Sequence, residues 1–341
     1  MYASVVVPTF NRKEVLERTI NGLLNQSLTK TEYEIIVVDD CSVDETSVYM
    51  DKIAESESSI IYIRHEQNEG RVVTRNDGIK AARGEIVIFL DDDNLPDKNF
   101  IQAHLNCYEQ NKGDKVAVMG NVSYAPEVIG NGNFARFMQS RYLGNRTESS
   151  PSTLDYNNLP SRCLGAGNCS VRRLDLFEVG MFDNSFRYYG GEDEYLGHCL
   201  KEKGVRLVFA DKARTLHYDI LSLSRYKQKT LESAKYGLKI LMDKSPEYLE
   251  NTMLKYLIPL SFKKDKFPRL LIKVAIRLVM NSCTVYLIER WAKYTDRISL
   301  LYSHYLYRAL IAGWIISGLK IKSNDITFVR YEVSNKIKEI I

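Results

Sequence analysis

Three aspartates in a row, Asp91, Asp92 and Asp93, close the segment GEIVIFLDDDNLPD directly after the apolar run Ile86 to Leu90. Carboxylates this close repel and raise one another's pKa. A divalent cation relieves the repulsion, and Mg2+ and Mn2+ are hard ions that take one or two carboxylates together with substrate phosphates. The run therefore suits a metal–diphosphate complex. The competing reading is turn chemistry, because DDDNLPD is rich in turn formers and Asp97 can cap the next helix. Turn chemistry accounts for one or two acids, not for three at the end of an apolar strand.

Two further acidic groups stand out. Asp39 and Asp40 end the run IIVVDD, where a carboxylate can accept hydrogen bonds from a ribose or a base N–H. Either could equally brace a loop or cap a helix. In GGEDEYLGHCLKEKG, Gly190 and Gly191 permit a tight backbone approach, and Glu192, Asp193 and Glu194 open a helix whose dipole favours negative charge. That is a stable, idle helix start or a general base. A hydroxyl attacking an electrophilic carbon must lose its proton, and a positioned carboxylate can take it.

The elements that must position these acids alternate. SVVVPTF, YEIIVVDD, IIYIRHE and EIVIFLDDD read as strands, and NRKEVLERTINGLLNQS, CSVDETSVYMDKIAE and VVTRNDGIKAARG as the helices between them. Asn11 with Glu14 resembles a capping box, Asp44 is a candidate N-cap, and Gly84 is placed to stop the third helix. Such alternation implies an α/β fold with a mostly parallel, doubly wound sheet. Ligands of such sheets sit at the carboxyl ends of the strands, where both aspartate clusters fall. Beyond residue 115 the pattern loosens into the strands DKVAVMGNVSY and VRLVFAD, the helix LDLFEVG, and a polar stretch over 130–162 expected to include a long functional loop.

Charge divides the chain. Residues 1–220 hold 25 Lys and Arg against 33 Asp and Glu; residues 221–341 hold 22 against 10. The basic part reads as long apolar helices with basic residues interspersed, and its uncharged windows are shorter than the roughly 18–20 residues of a membrane span. Such helices pack as a bundle, form a homodimer, or lie on an anionic membrane. Nucleic acid is not an expected partner, because the basic residues are interleaved with an apolar pattern and form no single patch. No charged and then apolar leader opens the chain, so a cleaved signal peptide is not expected. The six scattered cysteines read as reduced thiols of a cytosolic protein, with a Cys163–Cys169 disulfide or metal clip as the alternative. The expected location is cytoplasmic, or peripheral at the inner face of the cell membrane.

Taken together, VVVPTFNR, IIVVDDCSVDET, GRVVTRNDGIKAARGEIVIFLDDD, GNCSVRR and GGEDEYLGHCLKEKG resemble family 2 glycosyltransferases of the GT-A fold over residues 3–220. The resemblance implies a GT-A domain over 1–221, with a nucleotide-sugar half at 1–115 and an acceptor half at 116–221, followed by a helical region at 222–341. It implies transfer of a sugar from a nucleotide sugar, most often UDP-linked, with inversion, to a saccharide, lipid-linked saccharide or protein acceptor. Pro8, Thr9, Asn11, Asp39, Asp40, Arg75, Asp91 and Asp92 would meet the donor. Asp93, with Asp91 and His217, would hold Mn2+ or Mg2+. Asp193, beside Glu192, would be the catalytic base. The family often has Gly-Ser where this chain has Cys41-Ser42. A nucleotidyltransferase is disfavoured, because VVVPTFNRKEV has no glycine for a phosphate loop. A non-catalytic sugar-binding homologue would be expected to have lost some of these acids.

Overall fold

The computed structural model describes residues 2–145, 154–263 and 265–321. Eight strands form one sheet in the order β3-β2-β1-β4-β7-β6-β8-β5. β1 (Ala3–Thr9), β2 (Tyr33–Asp39), β3 (Ile60–Arg64) and β4 (Ile86–Leu90) are mutually parallel. Helices α1 (Lys13–Leu24), α2 (Thr46–Ser56) and α3 (Arg71–Ala81) make the crossovers between them. β1, β2 and β4 are apolar almost throughout, as strands covered on both faces must be. Pro8 lies past Val6, the last β1 residue paired with β4, so its missing N–H leaves no gap on that side.

Beyond α4 (Phe100–Gln110) the sheet becomes mixed. β7 (Asn168–Arg172) runs antiparallel between β4 and β6 (Val116–Tyr124), and β6 pairs in parallel with the long β8 (Arg206–His217). The NLP of DDDNLPD is not a turn: Asn94–Pro96 is β5, antiparallel to β8, with Asn94 opposite His217. Short helices follow, among them α5 (Asn133–Gln139), inside the stretch expected to be loop, and α6 (Arg173–Glu178). Phe134, Phe137 and Met138 give α5 its buried face. The middle of that stretch, 146–153, lies outside the described residues.

The sequence leads to α7 (Glu192–Glu202), then to α8 (Leu223–Lys235), α9 (Gly237–Lys244), α10 (Phe267–Val279), α11 (Ser282–Thr295) and α12 (His304–Lys320). These C-terminal helices are welded to the front unit. Leu238 and Leu241 share a core with Phe186 and Leu196, while Trp314 and Leu310 pack with Tyr124 and Phe137.

Several local expectations need correction. Asn11 and Glu14 form no capping box: Asn11 Oδ1 accepts the Val43 amide at 2.7 Å, and the Lys13 amide is met by Asp44 at 3.2 Å. A cap from a neighbouring loop replaces the local one. Asp44 also accepts the Thr46 amide at 3.0 Å, at the start of α2. Helix α3 ends before Gly84, which instead lies against Ser4, where a Cβ would come within 2.6 Å of the Ser4 nitrogen. Gln26, not the Asp97 side chain, accepts the Ile101 amide in the first turn of α4, at 3.0 Å. Cys163 and Cys169 form no disulfide.

Cys41 has a φ of 66°, a left-handed conformation that costs an L-residue roughly 1–2 kcal/mol and that glycine adopts freely. Cys41→Gly removes that strain but adds the chain entropy of glycine, roughly 0.5–1 kcal/mol. The expected net gain is about 0.5–1 kcal/mol by urea unfolding, and Cys41→Val, β-branched at the same φ, is expected to lose stability.

Candidate active site at the carboxyl ends of the strands

β1, β2 and β4 deliver Thr9, Asp39-Asp40 and Asp91-Asp92-Asp93 to one edge of the sheet. Asp39 and Asp40 are buried and already hold protein donors. Asp39 accepts the Ser42 amide at 2.9 Å and the Tyr62 hydroxyl at 2.8 Å. Asp40 accepts the amides of Glu69 and Gly70 at 2.8 and 2.9 Å and meets His65 Nδ1 at 2.9 Å. They fix the two loops beside the strand ends. Asn11, at φ 54°, joins the same wall through its amide, which donates to Ser42 Oγ at 2.8 Å.

The three adjacent aspartates have different sets of partners, with Arg12 shared by the last two. Asp91 accepts from Arg75 at 3.0 Å. Asp92 accepts from Thr9 Oγ1 and Arg12, both at 2.8 Å. Asp93 accepts from Arg12 at 2.7 Å and lies 3.3 Å from His217 Nε2. Burial and the neighbouring Asp93 charge outweigh Arg12 and push Asp92 up to about 6. For Asp93 burial is overcome by His217 and Arg12, which hold it well below the usual carboxylate range.

Asp93, His217 and Asp219 offer ligand atoms that all lie within 4.8 Å of one another. The Tyr142 hydroxyl lies 2.9 Å from His217 Nδ1, leaving Nε2 aimed at Asp93, and the imidazole stacks on Tyr124 at 5.1 Å. Burial pushes His217 down, but Asp93, with Asp219 behind it, outweighs this and holds it above its ordinary value. Arg225 and Lys229, one turn apart on α8, reach Asp219 at 2.7 and 3.0 Å. Asp93 Oδ1 and Asp219 Oδ1 are buried, with His217 Nε2 3.3 Å from the first and Arg225 2.7 Å from the second. One imidazole nitrogen and two carboxylates form an N,O,O set that fits Mn2+ or Mg2+. Asp91 stands outside this group, on Arg75.

The other side of the cleft begins at α7. Gly190 and Gly191, at φ 99° and 94°, turn the chain so that Glu192 and Asp193 enter at the helix start. Arg75, almost fully buried, lies 3.7 Å from both carboxylates while it holds Asp91. Glu192 closes back on the Gly190 amide at 2.9 Å, and Asp193 Oδ2 accepts the Ala166 amide at 3.0 Å. Asp193 Oδ1 accepts no hydrogen bond. Burial, opposed by Arg75 and reinforced by Glu192 and Asp91, pushes Asp193 up to about 6, although 27% of its side chain is open to solvent.

The sequence reading did not single out Arg12, Asp219, Arg225 or Lys229. Asp219 had a signal: it follows His217 by two residues, the period that returns a side chain to the same face of an extended chain. Arg225 and Lys229 had the i, i+4 spacing of one helix face, but nothing in their order tells what they face.

Similarity to known proteins fits this geometry. The fold is that of GT-A glycosyltransferases. A mannosyltransferase from Pyrobaculum calidifontis, solved with GDP-Man and Mn2+, superposes with a TM-score of 0.60 over 93% of this chain and 85% of its own, at 15% identity. GalNAc-T7, solved with UDP, GalNAc and Mn2+, gives 0.56 over 81% of this chain and 54% of its own, at 18% identity. Glycosyl transferase family 2 matches residues 4–177, and the chain belongs to that family. Relatives include the chondroitin synthase of Escherichia coli, 29% identical over 63% of this chain and 34% of that one. Another is the poly(ribitol-phosphate) β-N-acetylglucosaminyltransferase TarP of Staphylococcus aureus, 34% identical over 37% of this chain and 40% of that one. The chain thus spans well under half the length of these relatives.

The acidic turn rests on the C-terminal helices. A Cβ on Gly237 would overlap the Gly190 carbonyl, Tyr236 stacks on Tyr188 at 3.9 Å, and Glu232 accepts the Tyr189 amide at 3.2 Å. Gly237→Ala is expected to displace Glu192 and Asp193 and to lower turnover by about 10²-fold with the far-UV spectrum retained, since misplacement by ~1 Å costs that much. Steady-state kinetics beside circular dichroism check it.

Proposed function

We propose that the protein is a metal-dependent, inverting glycosyltransferase that moves a sugar from a UDP-linked donor to an acceptor hydroxyl in polysaccharide or glycoconjugate synthesis. The observation that carries this is the Asp193 carboxylate. It is held at a helix start by Ala166 and Arg75, and the same Arg75 holds Asp91, the neighbour of Asp92 and Asp93. Relatives that build chondroitin and decorate poly(ribitol-phosphate) support a saccharide or polyol acceptor. Neighbours of the same fold solved with Mn2+ and nucleotides support the cation and donor class, and the imidazole in the ligand set favours Mn2+ over Mg2+.

In this reading the nucleotide lies over the carboxyl ends of β1, β2 and β4. Thr9, Asn11, Asp39 and Asp40 shape its pocket, and Arg75 holds Asp91 towards the sugar. Asp93, His217 and Asp219 would hold the divalent cation, which when bound supplies neutralisation of the leaving diphosphate. Arg225 and Lys229 add positive charge on the same side. The Asp193 carboxylate takes the proton of the acceptor hydroxyl as that oxygen attacks the anomeric carbon from the face opposite the diphosphate. One displacement inverts the configuration, and the proton leaves with Asp193.

Asp193→Asn is expected to bind the donor normally and to lose roughly 10²–10⁴-fold in turnover, the usual worth of a general base. Full turnover in that variant, measured by product chromatography, removes Asp193 from the mechanism. The base works ionised, so kcat/KM is expected to rise with pH through about 6, the value to which Asp193 is pushed, and to fall as the carboxylate protonates below it. Calorimetric titration of UDP-sugars with and without Mn2+ is expected to show metal-dependent binding that Asp93→Ala abolishes.

A further inference from the structure

Helix α10 is built inside out. Its charged residues turn towards the protein. Arg269 makes a two-pronged pair with Glu250 at 2.8 and 2.6 Å. Lys273 is buried on Asp265 at 2.7 Å, and Arg277 donates to the carbonyls of Leu257 and Ile258 at 3.0 and 2.7 Å. The outward face carries Phe267, Leu271, Val274 and Leu278, spaced along one side of the helix and all exposed. α11 follows at a bend of 60°. It buries Val285 and Ala292 and exposes Leu287, Trp291 and Tyr294. Phe262, Phe267, Leu278 and Leu300 are between 71% and 91% exposed. Soluble surfaces rarely carry contiguous apolar patches of this kind without a partner.

Charge identifies the partner. Residues 253–308 hold 11 Lys and Arg against three acids, Asp265, Glu289 and Asp296. All three acids face the protein: Asp265 holds Lys273, Glu289 holds Lys227 and Lys293, and Asp296 accepts the Phe134 amide. Lys263, Lys266, Arg290, Arg297 and Arg308, on and beside the same helices, are exposed. A second copy would set this cationic rim against itself. An anionic phospholipid surface complements it, and Trp and Tyr beside an apolar stripe suit the lipid–water boundary. Among the described residues no single helix is long and apolar enough to cross a membrane.

We propose that α10 and α11 lie in the surface of an anionic membrane such as a cytoplasmic leaflet, with Phe267, Leu271, Val274 and Leu278 in the acyl boundary and the basic rim on the headgroups. The two helices thereby seat the catalytic unit at a lipid surface.

Flotation of the full chain with vesicles of phosphatidylcholine, alone or mixed with phosphatidylglycerol, tests this. The protein is expected to float with the mixed vesicles and to be released by high salt. L271E/L278E, on the exposed face, is expected to lose binding by more than 10-fold with an unchanged melting temperature and unchanged hydrolysis of nucleotide sugar. K263E/K266E is expected to weaken binding by about 10-fold or more. Failure of the full chain to float with either vesicle overturns the proposal. So does equal flotation of L271E/L278E, or a dimer in solution that L271E/L278E dissociates without any flotation of the parent.

Discussion

The structure depends on two arginines, Arg75 buried and Arg12 half-buried, placed among carboxylates that could not otherwise share a cleft. Arg75 touches Asp91, Glu192 and Asp193, which come from distant segments of the sequence, and Arg12 touches Asp92 and Asp93 with Asp219 close behind. Removing a carboxylate from water is costly, and a partner in good geometry must compensate for it. The two side chains divide the acids into one group around Arg12 and another around Arg75. Crowding that reads in the sequence as repulsion becomes, in the fold, two separate electrostatic environments.

That division needs more of the chain than the part matching the family. Residues 4–177 supply the parallel strands, Arg12, Arg75 and the three aspartates. Asp193, His217, Asp219, Arg225 and Lys229 lie beyond them, and so does Gly237, on which the acidic turn rests. β7, inserted antiparallel beside β4, begins at Asn168, next to the loop whose Ala166 amide orients Asp193 and whose Gly167 carbonyl accepts the Asp91 amide. The helical region is therefore a structural part of the cleft.

Much of this was legible in the sequence, because burial on both faces makes β1, β2 and β4 almost uniformly apolar and their ends abrupt. The positions of Asp39, Asp91 and Asp193 follow from local pattern. What escaped depends on contacts between distant segments. NLP carries turn residues, yet pairing with β8 makes it a strand. Asn11 and Glu14 have the spacing of a cap, yet a donor from another loop competes and wins. In α10 the periodicity reveals two faces but not which is turned inward. That depends on Glu250, Asp265 and two carbonyls that only the folded chain brings there.

The inversion of α10 separates two kinds of selection. Its inward basic side chains anchor the helix, so their loss would be felt as misfolding. Its outward apolar side chains are exposed to solvent, so they can change without disturbing those anchors. Where such an enzyme works, and what acceptors it meets there, can drift independently of how it works. Related chains with the same cleft can diverge in cellular address through a handful of exposed leucines and phenylalanines.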